Sequence, residues 1–457
     1  LLLRLRPEQP RTGKQSPLVI ICQATSPSAL SGPRTRGGLA GPAFATEGQR
    51  HQMQEYSFII LGAGPTGLTI AHSLIDGGVS PDRILVIEKE DRAGGLCRSE
   101  TVDGAPLDIG GGHFLDVKRR EVLDFVFRFM PEHEWARHDR VSKIRIAGTE
   151  VDHPLEANLW QLPKEAQVDY LESIAQAGAV RGDPMPQAFA DWVTWKLGKR
   201  IAEDYMLPYN RKIWSMDLKT LGTYWLYKLP DVSFRDTLRS CLEGSPFGAL
   251  PAHGTFLYPK EHGYGEVWRR MGVALGKSLL TNTAVSSVDL AQGIVNGQWK
   301  ARRIISTIPW TLWDNFCALP DAVRNDIALL KNAAIDVDYQ AETLDSNAHW
   351  IYDPDERKRH HRLLLRANFA PNSRGYWTET NASRSGETQG WRHRNEYAYP
   401  VNTLEKPEAI ARICDWAAAH GVIGAGRWGK WEHMNSDVAV AEGLALAKSL
   451  TQSASQE

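Results

Sequence analysis

Gly62, Gly64 and Gly67 stand in the run FIILGAGPTG (residues 58–67), and Glu88 ends a second apolar run, ILVIEK, 21 residues after Gly67. Those residue types at that spacing can hold a dinucleotide. The first glycine makes a tight turn, the second lets the main chain approach a pyrophosphate, the third allows close helix packing, and the acid takes ribose hydroxyls. A helix N-terminus directly after the turn meets the phosphate charge. Further along, LDIGGGHF (107–114) sets three glycines before His113. Consecutive glycines cost backbone entropy, so Gly111 and Gly112 suit a place where something lies flat on the main chain, and an isoalloxazine ring is the candidate. Gly94 and Gly95 in DRAGGLCRSE (91–100) permit another close approach, with Arg92 or Arg98 to meet a phosphate or the ring edge.

The elements that must position these residues follow from pattern. An apolar strand, a helix over 68–76 and a second strand form the first βαβ unit. Between 151 and 248 the spacing turns helical, with Phe189, Trp192, Val193, Leu197, Ile201 and Tyr205 on one face. These aromatics read as core. Pro208 is expected to end that helix, leaving YNRKIW (209–214) as a polar and aromatic loop. From 255 the text is strand-like through GTFLYPKEHGYGEVWRRM, and ARRIISTIP (301–309) is a strand re-entering the dinucleotide sheet. Residues 349–369 and 374–380 read as strands of a second, mixed sheet. VIGAGRWGKW (422–431) gives a strand and glycine turn with Gly426 and Arg427, and 438–450 a helix beginning just after Asp437. The expected organisation is a discontinuous cofactor domain (53–150, 255–312 and 415–452), an inserted helical substrate region (151–254), a mixed-sheet substrate region (313–414) and a short tail (453–457). No internal repeat is visible.

Bulk properties narrow the classes. At 457 residues, two or three domains are expected. A net charge of −1 argues against nucleic acid as main partner. The five cysteines lie far apart without a CxxC pair, so no metal site or disulfide framework is indicated and a reducing, cytoplasmic compartment fits. No apolar stretch approaches the ~20 residues that span a bilayer. Residues 1–52 carry seven Lys/Arg against two acids with many Ser, Pro and Gly. Such a leader reads either as an organelle transit peptide or as sequence upstream of a start at Met53; the second is preferred because no amphipathic helix period is present. Either way it is expected to be disordered.

A GxGxxG with an acid serves NAD and FAD alike, but the recurring glycine segments at 94, at 110–112 and near the C-terminus suit an extended FAD touching several loops. Together, over residues 56–450, they resemble the family of FAD proteins that includes amine oxidases, protoporphyrinogen oxidase and phytoene desaturases. The resemblance implies an α/β fold: a Rossmann-like FAD-binding domain of the glutathione-reductase type with an inserted helical region and a mixed-sheet substrate domain. Within it the chain is most similar to UDP-galactopyranose mutases. GGGHF resembles the mutase motif whose His lies beside the flavin, YNRKIW the pattern Tyr-Thr-x-Lys-x-Trp, and PKEHGYGEVW (259–268) a Pro-Lys-x-Gly-Tyr segment. The stretch 349–371 resembles one bearing a pyrophosphate-binding Arg, here Arg362. YAYPVNTLEK (397–406) with GRWGKW resembles the motifs that place Tyr399 and Arg427.

The resemblance implies His113 and Arg427 as catalytic, and Tyr209, Trp214, Tyr264, Arg362 and Tyr399 as substrate-binding. It implies FAD held by Gly62, Gly64, Gly67, Glu88, Arg92, Gly94, Gly95, Arg98, Gly111, Gly112, Gly426 and Asp437. The activity implied is interconversion of UDP-galactopyranose and UDP-galactofuranose through a reduced-flavin sugar adduct, with a nucleotide sugar as small-molecule substrate and no net redox change. NADPH or another electron donor is the partner such chemistry calls for, and a homo-oligomer is left open. On the residues alone, Tyr209 and Trp214 read equally as core aromatics, and the basic run 357–362 as a solvated face. The chain departs from the mutase pattern where Asp231, Val232 and Ser233 follow Leu229 and Pro230 in place of an Arg, with Arg235 nearby, and where His433 replaces a Tyr. The alternatives are an oxidoreductase of the amine oxidase or protoporphyrinogen oxidase type, and an FAD-binding structural protein.

Overall fold

The run at 58–61 has no polar alternation, as a strand covered on both faces requires. In the computed structural model it is the enclosed end of the strand Gln54–Leu61, with Ile59, Ile60 and Leu61 fully buried. The structure describes residues 53–226, 231–248, 254–370 and 372–454. The first strand lies between Ile84–Ile87 and Trp299–Ser306, parallel to both. Leu279–Leu280 pairs with the former and Val422–Gly424 with the latter, again in parallel. Parallel neighbours cannot be joined by hairpins, so this seven-stranded sheet collects strands from distant stretches of chain, and two short antiparallel pieces extend its edge.

The helix Pro65–Asp76 packs along Ser436–Ala454, where Gly443 brings the later helix against Thr69. One core fills that side of the sheet; a second, around Trp310, Trp313, Ile413 and Trp431, fills the other. The result is a Rossmann-like α/β arrangement.

A second seven-stranded sheet runs in the order Arg392–Pro400, Asn332–Gln340, Tyr376–Asn381, Arg362–Leu364, Trp350–Tyr352, Ser142–Ile146, Thr149–Asp152. All its pairs are antiparallel except Trp350–Tyr352 with Ser142–Ile146. Helices including Lys164–Ala175, Phe189–Ile201 and Leu207–Trp214 enclose a third core. Phe189, Trp192, Val193, Leu197, Ile201 and Tyr205 are all buried in it.

Three local expectations are corrected. YNRKIW is not a loop: Pro208 sits in the first turn of the helix Leu207–Trp214. The missing N–H of a proline costs nothing there, and a π-helical turn at Ala202–Met206 joins this helix to the one before. The strand-like text after 255 gives a strand only to Pro259 and then the helix Gly265–Leu275. Ion pairs from Glu266 to Arg269 and Arg270 span one turn of it, opposite buried Val267, Trp268 and Met271. The stretch 349–369 is two short strands separated by a loop at 353–361, because the strand after the loop turns back antiparallel.

The leader 1–52, Leu229, Pro230 and residues 455–457 lie outside the described residues. Among those described, no helix is long and apolar enough to cross a membrane, and no group of three or more His, Cys, Asp or Glu could hold a metal ion. Cys97, Cys241, Cys317 and Cys414 carry free thiols.

A Cβ at Gly67 would overlap the Gly62 carbonyl oxygen. Gly67→Ala is therefore expected to cost ~1–3 kcal/mol, the usual price of overpacking, and to weaken retention of any bound dinucleotide. An unchanged urea midpoint and full cofactor content in the purified variant would show that the turn yields without penalty.

Candidate functional site

The glycine turn is braced from below by Glu88. Its buried carboxylate accepts the N–H of Ala63 at 2.8 Å and that of Glu90 at 3.0 Å, so its first task is to hold the turn. Gly62 turns the chain against Thr307, whereas a Cβ at Gly64 would meet nothing within 4 Å. That open side lies at the start of the helix Pro65–Asp76, which has neither a side-chain cap nor an acid in its first turn. Its first N–H groups are left for an anion. The second glycine turn sits beside the first, with the Gly94 N–H donating to Ala63 O at 2.8 Å and Gly95 facing Gly64.

Arg92 pairs with Glu100, and Arg98 with Glu90 at 3.2 Å. Both are committed to carboxylates at the rim of this groove. Gly426 turns against Thr66, and its N–H donates to Glu442 at 3.3 Å. Asp437, almost fully enclosed, pairs through one oxygen with Arg119, while its other oxygen finds no protein partner. A buried carboxylate oxygen without a partner calls for a donor from a ligand. The open glycine face, the uncapped helix and this oxygen together fit a dinucleotide.

The glycine tract leads away from that groove. Gly111 adopts φ +87°, and a side chain there would overlap the carboxylate of Glu379. Glu379 is 1% exposed, and its Oε1 accepts the Gly112 N–H at 3.3 Å. Its Oε2 accepts both Nε and Nη2 of Arg362, at 2.9 and 2.6 Å, and lies 3.6 Å from Nε2 of the fully buried His361. Burial alone would raise this carboxyl, but the Arg362 charge and His361 outweigh it and bring it down to about 2. Burial, with Arg427 nearby, lowers His113 to about 4. The imidazole is therefore neutral at pH 7, its Nδ1 3.1 Å from Gly111 O.

Around Arg362 stands a ring of aromatics. Its Nη2 lies 3.3 Å from the Tyr399 hydroxyl; Trp214 meets Tyr399 edge-on at 6.2 Å, and His433 packs on Tyr399 at 5.0 Å. Tyr209 meets Tyr352 at 5.4 Å and His361 at 5.9 Å. Arg427, under the Tyr399 ring, donates to the carbonyls of Ala398 and Met434.

The structure thus brings together Tyr209, Trp214, Arg362, Tyr399 and Arg427 from four separate stretches, with His113 next to them. The basic run 357–362 is not one solvated face, since Arg362 turns inward to Glu379. Tyr264 stands apart from the ring. It is fully buried, bonded to Ser436 Oγ at 2.6 Å and flanked by Trp135 and Trp268, with His113 6.2 Å from its ring. Arg235 lines a cavity of about 320 Å³ with Glu156 and Lys196, a different place in the helical region.

Sequence reasoning missed Glu379, His361 and Tyr352. For Glu379 a signal existed: an acid inside a strand, YWTETN, whose other residues are aromatic, hydroxyl or amide. An acid is seldom fully buried without a partner.

Residues 60–129 match the family model of an NAD(P)-binding Rossmann-like domain. Putrescine oxidase of Kocuria rosea is 46% identical over 72 residues, 16% of this chain and 14% of that protein. UDP-galactopyranose mutase of Mycoplasma pneumoniae is 31% identical over 77 residues, 16% of this chain and 18% of that protein. The chain therefore matches less than a fifth of the length of either relative. Among solved structures, reduced UDP-galactopyranose mutase superposes with a TM-score of 0.77 at 20% identity, covering 86% of this chain and 93% of that one. At that identity the likeness is one of fold.

The depressed Glu379 value has a definite sign. With its folded value near 2 against an ordinary 4.5, the carboxylate stabilises the fold fully above pH 4.5 and loses that contribution as the pH falls through about 2. Glu379→Gln should cost ~3 kcal/mol at neutral pH by leaving Arg362 without its charge partner. It should also flatten the stability curve between pH 4.5 and 2 by up to one proton, about 1.4 kcal/mol per pH unit. Denaturant titrations at several pH values check both; parallel curves for the two proteins would contradict the assignment.

Proposed function

We propose that this chain is a member of the FAD-dependent amine oxidase superfamily, whose mutase-like fold it shares, and that it is a flavoenzyme interconverting UDP-galactopyranose and UDP-galactofuranose. The observation that carries the reading is the ring of aromatics and guanidinium groups at the end of the glycine tract. Arg362 is held ready by Glu379 and Tyr399, so ordering its long side chain is already done before a ligand arrives. Arg427 is partly buried, with carbonyl oxygens for hydrogen-bond partners, and therefore contributes a positive charge that no carboxylate among those partners cancels. A diphosphate suits such a place; a protonated amine would be repelled from it. Tyr209, Trp214 and Tyr399 offer flat apolar faces for a base and a sugar.

When bound, FAD supplies a ring whose reduced form can act as a nucleophile toward an anomeric carbon. The chain's own part is positional. Gly111 and Gly112 do not open a face for a flat ring, as their sequence suggested, but leave room for the Glu379 carboxylate and the Leu364 side chain and so pack the tract closely on the second sheet; neutral His113 adds a hydrogen-bonding edge without adding charge. Arg362 and Arg427 hold a departing diphosphate close enough to return, and the partly buried aromatic ring limits the water that could intercept a sugar freed of it.

One observation favours the second reading, an FAD-dependent oxidoreductase. Where the mutase pattern has an Arg, this chain has Asp231, and that acid pairs with Lys196 at 2.5 Å. One cation of the expected diphosphate grip is gone.

The two readings separate cleanly. Dithionite-reduced protein incubated with UDP-galactopyranose should yield the furanose isomer on chromatography, and UDP should bind the reduced form more tightly than the oxidised one. Absence of furanose, combined with bleaching of the oxidised protein by amines or porphyrinogens without added reductant, would select the oxidoreductase. Arg362→Gln should weaken UDP binding by roughly ten- to a hundredfold, the usual effect of losing a charged hydrogen-bond partner. Calorimetric titration giving equal affinity for the variant would remove Arg362 from the diphosphate site.

A further inference from the structure

Lys212 lies between Tyr209 and Trp214 in sequence and is 0% exposed. A buried ammonium is costly unless it is well bonded. Here it donates to the carbonyl oxygen of Asp353 at 2.7 Å and to that of Asp355 at 2.8 Å. Both belong to the 353–361 loop, the segment that ends directly before Arg362. The loop is closed at its neck, where the Asp353 N–H donates to His361 O at 2.9 Å, and the His361 N–H donates in turn to Glu379 O at 2.9 Å. Its base is packed with charge: the fully buried Asp353 carboxylate lies 3.1 Å from Lys358, 3.4 Å from His360 and 3.6 Å from Arg145.

The same helix is tied to the same sheet on either side of Lys212. Arg211 forms a two-point pair with Glu356 at 2.9 and 3.0 Å, and Asn381 donates to Ile213 O at 2.8 Å from the end of the strand that carries Glu379. Of these three ties, the one through Lys212 is buried and joins a charge to two carbonyl dipoles, so it is the least exposed to competition from water. The Arg211 pair lies at the surface, where such pairs contribute little.

We infer that Lys212 is a positioning residue of the site: its ammonium fastens the Leu207–Trp214 helix to the 353–361 loop and so sets the spacing of Tyr209 and Trp214 from Arg362. This rests on the reading of that ring as the substrate site. Lys212 itself does not touch the ligand; it acts through the elements that do. Methionine at 212 would fill nearly the same volume while removing the donors, leaving both carbonyls without their partner.

The test uses the full chain with FAD bound. Hydrogen exchange followed by mass spectrometry should show the 207–214 and 353–361 segments of Lys212→Met exchanging about tenfold faster than in the unaltered protein, with the Rossmann-like sheet unchanged. Steady-state kinetics of the reduced variant with UDP-galactopyranose should show KM raised about tenfold and kcat held within about twofold, with equal FAD content. Lys212→Gln, which keeps an amide donor, should fall between the two and stands in for Lys212→Met if that variant does not fold. Unchanged exchange in either segment overturns the proposal, as does faster exchange spread evenly over the whole chain with loss of FAD, which would make Lys212 a residue of general stability. If the unaltered protein neither binds UDP nor turns over the sugar, the substrate reading fails, and local acceleration in both segments still decides whether Lys212 fastens them.

Discussion

Glu379 is the group on which the rest of the site depends. One buried carboxylate accepts a backbone N–H from the glycine tract and two N–H groups from Arg362. The tract follows the dinucleotide turn in the chain and the arginine belongs to the second sheet, so the glycine tract and the guanidinium are held in register by a single side chain. In a medium of low dielectric such a link is strong while both partners are present and expensive when one is missing. That asymmetry explains the local sequence. Gly111 cannot carry a side chain because Glu379 occupies the space, and Arg362 cannot turn out to solvent with its neighbours without abandoning the acid.

The surrounding structure follows from the need to keep that pair dry and fixed. Glu379 lies in a strand flanked by Asn332–Gln340 on one side and Arg362–Leu364 on the other, so its main chain is bonded from both edges. Tyr209, Tyr352 and Tyr399 crowd the far side of Arg362 and accept or shield its remaining face. Tyr209 reaches this place because a π-helical turn precedes its helix. Such a turn shifts the register of side chains around the helix axis, and here Tyr205 stays in the helical core while Tyr209 faces the second sheet.

Legibility in the sequence divided along the range of the interactions. The dinucleotide turn was readable because its constraints are local: three glycines, a helix start and an acid within a short span. The second sheet was partly readable, since 374–380 has strand composition, whereas the hairpin inside 349–369 was not, because its turn is made by charged residues that look like any exposed loop. Pro208 misled for a physical reason. Proline stops a helix from within but is welcome in a first turn, and nothing local distinguishes the two when one helix follows another without a gap. Arg362 could be picked out only by resemblance; its own charge pattern pointed to solvent. Glu379 went unread because its significance lies wholly in partners at 112, 361 and 362, and pairings of that range are not written in the spacing of a single strand.

The distribution of charge sets what the site can accept. Arg92 and Arg98, at the dinucleotide groove, are matched to Glu100 and Glu90, so that groove draws an anion mainly through main-chain N–H groups and the helix start. Arg362 is matched to Glu379. Arg427 differs, since its bonds go to carbonyl oxygens whose dipoles orient it without cancelling its charge. His113 and His361, both lowered by burial, add nothing at neutral pH. Arg427, beside the Tyr399 ring, thus brings to the site a guanidinium whose hydrogen bonds go to main-chain carbonyls. A ligand carrying its negative charge near the reacting bond would be drawn into place by that arrangement, and one carrying it at a distant end would not. This is the electrostatic argument behind the proposed diphosphate leaving group, as against a neutral or cationic substrate of the same shape.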